Sequence, residues 1–400
     1  MTMKKKSIIL VIIILLVFFG WRFLRPMNIF VVDDRFAWPV NTSATPAVLG
    51  KLSAKECGAC HQKFFDEWQT TIHSKAWTEP YFQTDWKFDR SQHSCRLCHT
   101  PLDRQQPHTV LGYRDTDKWE PILEDNPNFD PELQHEGVTC AACHYREGKI
   151  VGVLGNTNAP HPVKKLDDPN QVCVRCHIVN GDKWDTFFRF PPCGTVAEIE
   201  STISKTKKGY SGEHVVENSA SLGCVQCHMP LVERALVKGG EVRQTRHHYW
   251  RGGHDPSMVK KALTINFAEK KLLNKEQRSF TLTLTNTGAT HYVPTGTPDR
   301  YLTIQLRVLD KNNNMLIERK ETIKRTVMWR PFIVDLKDTR LPRGQPRTYQ
   351  IDIPNPDKAV NVEAVVRYHL LDENRRKRIN YKNKTPIAYD VFRKKIKLDI

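Results

Sequence analysis

Five short segments place two cysteines and a histidine in a fixed pattern, Cys-x-x-Cys-His. They are Cys57, Cys60, His61; Cys95, Cys98, His99; Cys140, Cys143, His144; Cys173, Cys176, His177; and Cys224, Cys227, His228. The pattern is the attachment signature of c-type haem. Two thiols add across the haem vinyl groups while the adjacent imidazole binds the iron, so the three residues must be contiguous. Zinc ribbons, iron–sulfur ligands and thioredoxin-like pairs use Cys-x-x-Cys without a following histidine. With 16 histidines among 400 residues, five such placements arise by chance with a probability of about 10⁻⁷. The motifs predict five haem c groups, held by ten cysteines and five proximal histidines. Of eleven cysteines, Cys193 is then left over, read as a plain thiol with a ligand or an intermolecular link as the alternative.

The positioning elements follow from spacing. Successive first cysteines lie 38, 45, 33 and 51 residues apart. A segment so divided cannot build a large side-chain core, so residues 48–257 are expected to be short helices and loops wrapped around the haems. Residues 258–400 contain no such motif and turn to alternation, as in Phe280, Leu282, Leu284, then Leu302, Ile304, Leu306, Val308, and later Val362, Ala364, Val366, Tyr368. These predict a C-terminal all-β sandwich-like domain.

At the other end, Lys4, Lys5 and Lys6 precede an apolar run from Ile8 to Phe19. This reads as an export signal. No small-residue cleavage site follows closely, which favours an uncleaved transmembrane anchor over residues 1–28, with Arg22 snorkelling to the interface and a linker over 29–47. A cleaved signal is the alternative. Positive charge before the helix places the bulk on the periplasmic or exterior side of the cytoplasmic membrane. Export excludes nucleic acid as the partner of a chain of formal charge +17, and leaves redox partner proteins and the membrane. Runs such as Arg375–Arg378 and Arg393–Lys395 read as solvated faces, with docking to an acidic redox partner as the alternative.

Eleven histidines remain outside the motifs, more than five sixth ligands require. Here a resemblance ranks them. The stretch Cys57–Trp77, with Trp68 and His73, resembles the first haem segment of the tetrahaem cytochrome c of ammonia-oxidising bacteria and its multihaem relatives. Gly137–His144 resembles that family's third motif. The resemblance spans roughly residues 53–180 and implies His73 and, downstream of the third motif, His161 as distal ligands. The stretches Cys224–Pro230 with Arg246–His254, and Asn286–Arg300, are similar to longer relatives and imply His248 and His291. His135, just before the third motif, is a further distal candidate from position; His93, His108, His214 and His254 rank below it, and His369 reads as surface. In the nitrifier cytochrome the second haem lacks a distal ligand, which implies an open iron at Cys95, Cys98 and His99, although His93 and His108 flank that motif.

The sequence therefore predicts electron transfer. The alternatives are reduction of a small nitrogen or sulfur species at a five-coordinate haem, a quinol dehydrogenase, or an interaction protein docked by its β domain. No acid/base constellation singles out catalytic residues.

Overall fold

An unbroken apolar run from Ile8 to Phe19 nucleates one helix, Met3–Leu24, which carries on through Gly20 and Arg22. At about 1.5 Å per residue its 22 residues reach about 33 Å, the thickness of a bilayer core. Its side chains are mostly exposed, and it is long and apolar enough to cross a membrane. The computed structural model describes residues 3–25, 28–34, 36–155, 158–177, 184–187, 189–191, 193–203, 222–270, 278–353 and 361–398. Arg22 does not snorkel. It is 1% exposed, pairs with Asp185 at 2.7 Å and donates to the Pro331 carbonyl at 2.9 Å. A carboxylate within reach costs less than stretching a guanidinium along the helix to water.

Each Cys-x-x-Cys-His motif sits on a helix of five to seven residues: Ala54–Cys60, His93–His99, Cys140–His144, Gln171–His177 and Cys224–His228. Helices this short need outside support. Ser53 and Glu56 form a capping box on the first. Asn170 Oδ1 accepts from the Val225 amide at 3.1 Å, joining the fourth helix to the fifth. Apolar packing around the motifs comes in small groups, such as Leu52, Leu102, Leu133 and Tyr145.

The large core lies beyond residue 258. Among the described residues seven strands build it: β1 (Leu263–Lys270), β2 (Arg278–Asn286), β3 (Tyr301–Leu309), β4 (Met315–Ile323), β5 (Arg347–Ile353), β6 (Asn361–His369) and β7 (Ala388–Lys397). They form two antiparallel sheets, ordered β5-β2-β1 and β4-β3-β6-β7. Alternation directs Phe280, Leu282 and Leu284 from one sheet and Leu302, Ile304, Leu306 and Val308 from the other into one core, all at 0% exposure. Each such side chain contributes roughly 1.5–3 kcal/mol by burial.

Several contacts tie this sandwich to the motif region. Arg375, in a helix of the sandwich, bonds Asp85 and Asp89, each at 2.7 Å. Strand Ile333–Asp338 pairs in parallel with Thr186–Phe187. The basic runs are largely engaged in ion pairs, with Arg376 on Glu373 and Arg393 on Glu363 and Asp390.

Candidate functional site

The five motif helices bring all ten cysteines and all five histidines to the wall of one continuous cavity of about 2520 Å³. Single-ligand pockets ordinarily measure about 300–1,000 Å³, so this space is large enough for several large ligands. None of the eleven cysteines is disulfide-bonded. Side-chain hydrogen bonds join Cys57 to Cys140, Cys98 to Cys176 and Cys173 to Cys224. The first motif therefore adjoins the third, the second adjoins the fourth, and the fourth adjoins the fifth.

Four motif histidines donate Nδ1–H to a backbone carbonyl: His61 to Leu236 at 2.9 Å, His99 to Ala76 at 2.6 Å, His144 to Val151 at 2.8 Å and His228 to Arg251 at 2.7 Å. A carbonyl only accepts, so the proton resides on Nδ1 and Nε2 keeps its lone pair. Burial pushes His99 and His177 down to about 4 and lowers His144 and His228. These rings are neutral, the form that binds metal.

Four histidine pairs meet across the cavity. Ring centroids are 6.5 Å apart for His61 and His161, 6.5 Å for His177 and His73, 6.1 Å for His144 and His248, and 6.3 Å for His228 and His291. A metal–nitrogen bond of about 2 Å on each side, with about 1 Å from nitrogen to ring centre, sets two imidazoles on one metal about 6 Å apart. The pairs have the spacing that a bis-imidazole iron requires.

His135 stands apart. It is exposed at the end of helix Pro131–His135 and does not line the cavity. His108 pairs with Asp125 at 3.3 Å, and His93 lines a separate cavity of about 240 Å³. His254 lines the main cavity, while His214 lies outside the described residues. His369 is half-buried, stacked on Tyr301 at 4.1 Å.

The second motif differs from the other four. The ring against His99 is Phe82, stacked at 3.6 Å, beside Trp77 and Trp86 with Arg96 over both. Among the described residues no histidine faces His99. Cys193 lines the same cavity as Cys95 and Cys98. Nearby, the Tyr81 hydroxyl bonds Asp299 at 3.3 Å. Burial, reinforced by the Asp85 charge, raises Asp299 to about 6.

Two networks hold the distal segments. Buried Glu67 accepts two bonds from Arg234 at 2.6 and 2.9 Å, one from the His248 amide at 2.7 Å and one from His247 at 2.6 Å. Burial alone would raise its carboxyl, but these donors hold it below the usual carboxylate range. Glu198, also buried, accepts from the Tyr292 amide at 3.1 Å and Thr295 at 2.7 Å and pairs with Arg340. That fixes the loop carrying His291. Sequence reading misses both carboxylates, because Arg234 and Arg340 are remote along the chain.

No protein-family model matches this chain, and neither does any curated protein. Among solved structures, a penta-haem cytochrome c552 from Thermochromatium tepidum is similar over 87% of this chain and 99% of its own, at 17% identity and a TM-score of 0.61. The chain has the fold of a multihaem cytochrome. A glycosyl hydrolase family 2 member from Bacteroides cellulosilyticus covers 35% of the chain and 14% of its own at a TM-score of 0.17, too low to convey a shared fold.

Proposed function

We propose that the protein is a pentahaem c-type cytochrome that transfers electrons at the outer face of the cytoplasmic membrane, tethered by Met3–Leu24. Bound haem irons supply one-electron redox chemistry. The chain's own residues do the rest. The ten motif cysteines would hold the macrocycles, His61, His99, His144, His177 and His228 would bind the irons beside them, and His161, His73, His248 and His291 would bind four of those irons as well. The observation that carries the reading is the set of four histidine pairs at 6.1–6.5 Å around one motif-lined cavity. Apolar lining excludes water and the adjoining motifs bring neighbouring sites close, as a conducting chain requires. In this reading residues 48–257 carry the haems, residues 258–400 form a β domain that lends His291, and redox proteins are the partners.

The test is intact mass with a haem stain, together with electron paramagnetic resonance of the oxidised holoprotein. The expected result is five covalent haems with four low-spin signals of the bis-histidine kind. A mass short of five haems, or low-spin signal from fewer than four, refutes it.

The second motif favours a further reading, reduction of a small nitrogen or sulfur species at an open iron. Its support is that Phe82, and no described histidine, lies against His99, with Asp299, bonded by the Tyr81 hydroxyl, near by as a proton donor. A high-spin component of one haem that shifts on adding nitric oxide or hydroxylamine would favour it. A fifth low-spin haem, unchanged by either, removes it.

A further inference from the structure

Beside the helix Met3–Leu24 lies a small three-stranded sheet made of Arg325–Met328, Ile333–Asp338 and Thr186–Phe187. Its two faces differ. Ile333, 2% exposed, and Asp335, bonded to Arg325, point inward. Side chains alternate along a strand, so Phe332 and Val334 share the other face, while Leu336 sits at a bulge in the pairing with Arg325–Met328. Register adds Phe187 and Met328, both paired with Val334. This outer face is apolar and open: Phe187 is 57% and neighbouring Trp184 62% exposed.

The face is continuous with the helix. Phe332 lies 6.4 Å from Phe18, 6.5 Å from Phe19, 6.5 Å from Trp184 and 6.3 Å from Phe187, ring to ring. Phe19 is five residues before Leu24, about 7 Å deeper along the axis. A side chain level with Phe19 is therefore inside the apolar layer whenever the helix spans it. Arg25, Arg330 and Lys337 border the patch, where phosphate headgroups would lie.

We infer that Trp184, Phe187 and Phe332 form a collar immersed in the phospholipid headgroup–acyl boundary around the emerging helix, seating the cytochrome on the bilayer in one orientation. The inference rests on the anchor reading of Met3–Leu24. Aromatic side chains suit that depth, and interfacial elements sink about 5–10 Å.

The test uses full-length holoprotein in phosphatidylethanolamine–phosphatidylglycerol vesicles bearing a diazirine near the acyl carbonyl. Mass spectrometry locates the photoadducts. Adducts on the helix and on residues 184–187 and 332–334, about tenfold above those on sandwich strand Arg347–Ile353, are expected for immersion to that depth. Adducts on the helix with the collar at the level of that strand would overturn the collar and leave the anchor standing. Adducts on neither overturn both.

Discussion

Replacing Glu67 with glutamine removes one negative charge from a site where four donors converge, with Glu67 6% and Arg234 7% exposed. Glutamine keeps the shape and one acceptor but leaves the Arg234 guanidinium buried without a counter-charge. Breaking a buried pair from one side costs about 3–5 kcal/mol, a large part of the roughly 5–15 kcal/mol that holds a domain folded. The loss should be local to function as well, because the His248 amide and the His247 ring rest on the same carboxylate. Guanidinium unfolding of the holoprotein, followed by the Soret band, should show a drop of about 3 kcal/mol or more. Glu67→Gln with Arg234→Met removes both charges and should recover most of it. Because the folded-state carboxyl is lowered, its contribution is present above the unfolded value of about 4.3 and fades as pH falls through the lower folded value. The pH dependence between about 5 and 3 should thus be shallower in the variant. A wild-type midpoint in Glu67→Gln, or a double variant less stable than the single, refutes the reasoning.

Alanine at His73, His161, His248 or His291 should each convert one haem from low to high spin in the resonance spectrum, whereas His135→Ala should leave it unchanged. Gly137 has φ +62°, and a Cβ there would lie 2.9 Å from the His73 carbonyl and 3.0 Å from the Ala76 amide nitrogen. Gly137→Ala should cost about 1–2 kcal/mol for the left-handed backbone, and by displacing His73 should raise the high-spin fraction; an unchanged spectrum contradicts that placement. Arg22→Met should leave buried Asp185 without its nearest cation, 2.7 Å away in the wild type, and loosen strand Ile333–Asp338. Hydrogen exchange of residues 330–338 should accelerate, by up to about 100-fold if 3 kcal/mol is lost.

The chemistry of the attachment motif is contiguous, so the ten cysteines and five proximal candidates are legible without a fold. The sandwich strands are legible too, since a half-buried strand writes its alternation into a few residues, as Phe280, Leu282 and Leu284 do. A distal ligand leaves no local mark. His73 and His161 follow the first and third motifs closely and are reached through a resemblance; His135 has an equally good position in sequence, yet its helix turns it to solvent. His291 is 63 residues beyond His228 and meets it only because the loop after β2 folds back over the fifth motif. The pairing of Thr186–Phe187 with Ile333–Val334 was equally hidden, because two-residue strands carry no period. Arg22 read as a snorkelling residue because nothing near it in sequence announces Asp185.

That loop also bears on how the chain divides. Composition separates a motif-bearing middle from a motif-free β region, which invites reading the latter as a detachable docking module. The side chains argue otherwise. Glu198 from the middle holds the Tyr292 amide beside His291 and is itself held by Arg340 of the sandwich. Arg375 reaches back to Asp85 and Asp89 in the helix whose Phe82 stacks on His99, and the Tyr389 hydroxyl bonds the Gly253 carbonyl at 2.6 Å. A module kept only for docking would not need the buried Glu198–Arg340 pair at this seam, since such a pair is costly to desolvate and gains little unless geometry matters. Here geometry does matter. The Glu198–Arg340 pair holds the loop that brings His291 against His228, and Arg375 holds the helix behind His99 from the sandwich side, so the β region helps position both rings.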